Sequence, residues 1–110
     1  MSEEKEIEKI QKLTEKKKTE KVEKFLHDKD VEVVKAAIAG LGIIQDELAF
    51  NLLSKLIDNE NPEIRKAAIV AFANSGTEQA RSFLQLLLSK ETDAGVKEVA
   101  SKALREFKIK

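Results

Sequence analysis

Apolar residues recur along the chain at steps of three and four. Val96, Val99, Ala100, Ala103, Leu104 and Phe107 fall at i, i+3, i+4, i+7, i+8 and i+11, and Ile64, Ala67, Ala68, Ala71 and Phe72 open the same series. That period puts them on one face of an α-helix. No segment sustains the two-residue alternation of a half-buried strand, and four glycines and one proline leave few breaks. The pattern predicts an all-α chain. An N-terminal helix covers residues 2–13, followed by helix pairs over 15–27 with 31–43, 47–58 with 62–74, and 78–90 with 94–108.

The pattern also repeats. Lys35-Ala36-Ala37-Ile38 returns as Lys66-Ala67-Ala68-Ile69, an offset of 31 residues, and Val33/Ile64, Leu41/Phe72 and Ala49/Ala80 keep that offset. A third copy follows at an offset of 32, with Val96, Ala100, Ala103 and Leu104 in the places of Ile64, Ala68, Ala71 and Phe72. Asp30, Asn61 and Asp93 precede the second helix of each pair. Asp46 and Thr77 precede the first helix of the later pairs. Such side chains cap helices, because their oxygen accepts a hydrogen bond from an N–H left free in the first turn. Pro62 stands at the one helical position where proline costs little, and Gly76 suits a left-handed C-cap. One helix pair cannot bury its apolar face alone, so successive pairs must stack. The expected organisation is a single domain over 1–110, with a cap helix at 1–14 and repeats at 15–45, 46–76 and 77–110.

The segment Leu56-Ile57-Asp58-Asn59-Glu60-Asn61-Pro62-Glu63-Ile64-Arg65-Lys66-Ala67-Ala68-Ile69 resembles the core of the HEAT repeat family. The likeness is to its short variety of about thirty residues, the phycobilisome-lyase-type HEAT-like repeats. Residues 26–42 and 84–105 carry the likeness more weakly, and it extends over residues 15–108. The resemblance implies a right-handed α-α superhelix whose second helices line a concave, partner-binding face. The family's Asp and Arg ladder is matched at Asp58 and Arg65. Unit one keeps Asp28 but has Val34 in place of the Arg, and unit three has Lys97 at the Arg position and Lys90 at the Asp position.

Composition narrows the function. The chain is 42% hydrophobic and 36% charged, with 20 Lys and Arg against 20 Asp and Glu. A zero balance gives no general pull toward nucleic acid or an anionic membrane. There is no cysteine, so thiolate metal sites are excluded. The charged N-terminus is unlike a secretory signal and no apolar run approaches a membrane span, so a cytoplasmic location is expected. His27, the single histidine, has no second ligand at metal-binding spacing and reads as a helix-end residue. Ser75 has no nucleophile elbow around it, and Gly40-Leu41-Gly42 lacks the strand and the Gly-Lys of a phosphate loop. Gly40 aligns with Ala71 and Ala103, so it reads as a close-packing residue. The lysines from Lys9 to Lys24 are interleaved with Glu8, Glu15, Glu20 and Glu23, as on a solvated helix face. No enzyme activity, cofactor or metal site is expected.

With Ile64, Ala67, Ala68 and Ala71 facing the core, the opposite side of the second helices carries Lys35, Ala39 and Gly42 in unit one. It carries Lys66, Val70 and Ala73 in unit two, and Glu98, Lys102 and Arg105 in unit three. This stripe is the candidate partner-binding face, with room for a helix or an extended peptide. The expected function is a non-catalytic protein-interaction module or scaffold binding another protein or peptide; the sequence leaves the oligomeric state open, a monomer being favoured over an oligomer. The alternatives are an accessory subunit of a lyase-like enzyme and a weak nucleic-acid-binding solenoid. Ile7, Ile10 and Leu13 give the first helix one thin apolar stripe, as an end cap needs. Exposure of Leu86 or Leu88 would point to docking at the other end.

Overall fold

The computed structural model describes residues 2–110, which form seven α-helices and no strand. These are α1 (Ser2–Glu15), α2 (Thr19–Glu23), α3 (Val31–Ile44), α4 (Glu47–Lys55), α5 (Pro62–Ser75), α6 (Glu78–Lys90) and α7 (Ala94–Arg105). The chain tightens into 3-10 turns at Lys24–His27 after α2 and at Leu56–Asp58 after α4.

The helix starts are set by side chains. Asp30 accepts from the Glu32 N–H at 2.9 Å, Asn61 from Glu63 at 2.9 Å and Asp93 from Val96 at 3.0 Å. Asp46 accepts from Ala49 at 2.8 Å and Thr77 from Ala80 at 3.1 Å. All five predicted caps therefore cap, and Pro62 opens α5. Gly76 ends α5 at φ +66° and Gln45 ends α3 at φ +58°. Gln45 is the repeat equivalent of Gly76, so the backbone geometry recurs where the residue type does not.

The entry to unit one departs from the expected helix over 15–27. Instead α1 runs on to Glu15, with the Thr14 hydroxyl donating to the Ile10 carbonyl at 2.8 Å inside the helix. Lys17 then turns left-handed at φ +56°, while the Lys18 N–H donates to the Leu13 carbonyl and the Lys17 N–H to Thr14. This is a Schellman closure. The chain restarts at Thr19, whose hydroxyl donates to the Asp46 carboxylate at 2.6 Å. The five-residue α2 is thus tied to the start of α4.

The helices form two layers. In one, α3 packs between α1 and α5, and α5 packs on α7; α2, α4 and α6 cover it from the other side. Val33, Ala37, Leu41, Ala68, Phe72, Val96, Ala100 and Leu84 are buried between the layers. Small residues bring the first layer together. Gly40 lies against Thr14, and a Cβ on Gly42 would sit 2.9 Å from the Cα of Ala71. Rings hold the second layer open: Phe50 of α4 and Phe83 of α6 meet edge to face at 5.2 Å, over Phe72. The closely packed layer of α1, α3, α5 and α7 is termed the inner layer, and that of α2, α4 and α6 the outer.

The ladder differs from its expected form. Arg65 does not pair with Asp58. Its Nε and Nη2 donate to the two carboxylate oxygens of Glu91, each at 2.8 Å, and its Nη1 donates to the Asn59 carbonyl at 2.6 Å. Asp58 pairs instead with Lys90 at 3.1 Å on the surface. The repeating acidic or amide position is Asp28, Asn59 and Glu91. Each accepts the N–H two residues on, from Asp30, Asn61 and Asp93. The third copy reaches this geometry by a different route, since α6 stays helical to Lys90 without a 3-10 turn. The longer Glu91 side chain then does what Asp28 and Asn59 do.

Candidate functional site

The inner layer presents the stripe read from sequence, with one correction. Ala39 and Val70 are exposed, as are Glu98, Lys102 and Arg105, while Lys35, Lys66 and Ala73 are half-buried. Gly42 is buried against Ala71 and is not part of the surface. Helix packing explains this: a residue without a side chain at that height lets α5 close over it. Lys35 pairs with Glu32 at 3.4 Å, and Lys66 pairs with Glu63 at 3.2 Å. The two pairs occupy equivalent places, so their charges are locally balanced. Lys66 also leans over Gly95 at the start of α7.

Ile43 was missed. It is 66% exposed, more than any other large apolar side chain among the described residues, and Val70 is 54% exposed. Helical spacing allows it, since 35, 39 and 43 are four apart, but it allows Gly42 equally, three residues after Ala39. Ile43, Ala39, Ala36 and Gly40 form one wall of a groove of about 470 Å³, and Ile7, Ile10, Gln11, Thr14 and Glu15 of α1 form the other. Ile10 is buried and Ile7 and Leu13 are half-buried, so the apolar stripe of α1 covers α3 as an end cap would.

Charge is distributed unevenly across this layer. On α1, Glu4, Glu8, Gln11 and Glu15 share one face, and Gln11 and Glu15 line the groove. Glu3 comes up to Asp30 at the start of α3; the interaction with that carboxylate, then burial and repulsion from Glu32 and Glu4, raise its pKa above the usual carboxylate value. On the far side are Lys102 and Arg105 of α7, beside Glu98. The C-terminal segment adds Lys108 and Lys110. It returns to α5, where the Lys110 N–H donates to the Gly76 carbonyl at 2.9 Å and its Nζ donates to the Asn74 carbonyl at 2.5 Å.

Elsewhere the surface is bland. His27 is exposed in the first 3-10 turn, as a helix-end residue. The Ser75 hydroxyl donates to the Phe72 carbonyl at 2.8 Å and is held within its own helix. Leu86 is exposed and Leu88 half-buried on α6, but Leu86 lies among Ser82, Gln85, Ser89 and Lys90, and a single exposed apolar residue is ordinary. Ile38 and Ile69 are fully buried against the following unit, and the equivalent Ser101 gives α7 a polar outward side. No helix of the described residues is long and apolar enough to cross a membrane. Among the described residues no group of His, Asp and Glu is gathered closely enough to hold a metal ion.

Comparison with curated proteins and with solved structures gives no match. The family model described as HEAT repeats matches residues 19–105, a span that runs from the first residue of α2 to the last of α7. With seven helices in two stacked layers and the cap positions repeating every 31 or 32 residues, the chain belongs to the HEAT repeat family.

Proposed function

We propose that the chain is a non-catalytic protein-interaction module that receives its partner on the inner layer, over α3, α5 and α7. HEAT repeats generally serve as protein-interaction scaffolds. The observation that carries the reading is the pair Ile43 and Val70, large apolar side chains left in water on adjacent helices of the inner layer. Exposing them costs about 1.5–3 kcal/mol each relative to burial, a cost that binding would recover. The small residues Ala36, Ala39 and Ala73 keep the floor between them low.

The test is affinity capture of partners from the native source with mass spectrometry, followed by titration of the main partner against Val70→Glu/Lys66→Glu. A charge forced into the centre of an interface costs 2 kcal/mol or more, so affinity should fall by at least about thirtyfold. Val70 is exposed and Lys66 is half-buried in a surface pair with Glu63, worth about 0–1 kcal/mol, so the melting temperature should fall only slightly. Undiminished binding by a folded double variant would refute the assignment of this face.

A further inference from the structure

The inner layer is polar in two opposite senses at its two ends, and that restricts what fits it. At one end α1 shows Glu4, Gln11 and Glu15 along one face, with Glu8 between them paired to Lys12 at 3.6 Å, and Glu3 and Asp30 add negative charge where α1 and α3 begin. At the other end stand Lys102, Arg105 and Lys108, against Glu98 and Glu106 beside them, while Lys110 turns back onto the end of α5. The middle is apolar or internally paired: Ala39, Ile43, Val70 and Ala73, with Lys35 held by Glu32 and Lys66 by Glu63. The net charge of the whole chain is zero, so this separation is a property of the face and not of the composition.

Resting on the inner-layer reading above, we infer that the occupant is an amphipathic helix laid across α1, α3, α5 and α7, with an acidic N-terminal turn over α7 and a basic C-terminal turn over α1. Adjacent helices pack about 8–10 Å apart, so four of them present a path of about 27 Å, which a helix of about 18 residues spans at 1.5 Å per residue. Low alanine floors let its backbone approach between the Ile43 and Val70 ridges. The charge order also suits the occupant itself. A free helix is stabilised by acidic residues in its first turn and basic residues in its last, which complement its dipole, so this polarity imposes no strain on the partner. The reversed order would set like charges together at both ends.

The experiment is a displayed library of 18-residue helix-forming peptides, with a fixed apolar stripe and randomised charges in the first and last turns, selected on the purified full-length chain. Peptides with an acidic first turn and basic last turn should be enriched at least about tenfold over the reverse order. Selection on Glu4→Lys/Glu8→Lys/Glu15→Lys/Lys102→Glu/Arg105→Glu, all surface positions, should invert the preference. No enrichment, no charge order, or the same order on both proteins would overturn the inference. Self-association of the chain that is lost in Val70→Glu/Lys66→Glu would overturn it too, in favour of a second copy. Peptides that bind without charge order but fail on Val70→Glu/Lys66→Glu would leave the interaction face standing and remove only the polarity. Peptides that still bind that double variant would remove both.

Discussion

Glu91 is a carboxylate with only 3% of its side chain exposed, paired with an Arg65 side chain that is 14% exposed. It stays ionised there because donors converge on it: Arg65 Nε, Arg65 Nη2 and the Asp93 N–H. The hydrogen bonding to Arg65 holds its pKa below the usual carboxylate value against the opposing effect of burial, and Arg65 is held correspondingly high. Removing one partner strands the other charge, so Glu91→Ala should cost about 3 kcal/mol in urea denaturation. The pH dependence follows from the sign. A carboxyl group whose folded pKa is depressed contributes stability above its unfolded pKa and loses it as pH falls through the folded value. Stability should therefore drop below about pH 4, and Glu91→Gln should flatten that limb in melts taken across pH. Glu3 has the opposite sign, because its raised pKa means that protonation relieves repulsion from Asp30. Glu3 is half-buried at the surface and Asp30 is close to it, so added salt should weaken that contribution and leave more of the acid limb to Glu91. A second residue-scale prediction concerns Lys17, which sits at φ +56° on the surface. A side chain in that region costs about 1–2 kcal/mol, partly offset by the greater unfolded freedom of glycine. Lys17→Gly should stabilise the chain by about 0.5–1 kcal/mol in the same urea titration.

At the scale of helices, close approach decides more than propensity. Gly42 lies within α3, where exchange of glycine for alanine normally gains about 1 kcal/mol. Here the new Cβ would stand 2.9 Å from both Cα and Cβ of Ala71. Backbone has to move, so Gly42→Ala should destabilise by about 1–3 kcal/mol and lower the melting temperature. A gain in stability would show that α3 and α5 have slack between them. This contact also marks what the sequence could and could not tell. Cap residues and the 31-residue offset located α3 to α7 to within a residue or two at most ends, since Asp30, Asp46, Asn61, Thr77 and Asp93 act within one turn of chain. The turn at Lys16–Lys18 was not legible, because a lysine forced left-handed carries none of the glycine or asparagine signal of a C-cap. The partner of Arg65 was not legible either. It lies 26 residues away, and the one-residue insertion in the third copy hides the alignment of Asn59 with Glu91. On the candidate face, helical spacing placed Ala39 and Val70 in water correctly. It could not distinguish Gly42 from Ile43, because that depends on where the next helix closes over α3.

At the scale of the whole molecule, stability in a solenoid is the sum of unit stabilities and neighbour interfaces, and the interfaces here are unequal. Units two and three are joined by the buried Arg65–Glu91 fork. Units one and two have the buried Val34 at the Arg65 position and Asn59 at the Glu91 position. Their polar links are instead the Thr19–Asp46 bond and the bond from Gln45 Nε2 to the Asn74 carbonyl at 3.1 Å. If the fork belongs to the repeat geometry and not to one local accident, it should be transferable. Val34→Arg alone would bury a guanidinium without a carboxylate and should cost several kcal/mol, at about 3–5 kcal/mol for an unpaired buried charge. Asn59→Glu alone should be milder, because a glutamate can still accept the Asn61 N–H as Glu91 accepts that of Asp93. Combined, the two should recover about 1.5–3 kcal/mol of coupling in a double-mutant cycle followed by urea denaturation. Additive losses would mean that the one-residue insertion between the second and third units, and not the repeat itself, creates the space in which Arg65 and Glu91 meet.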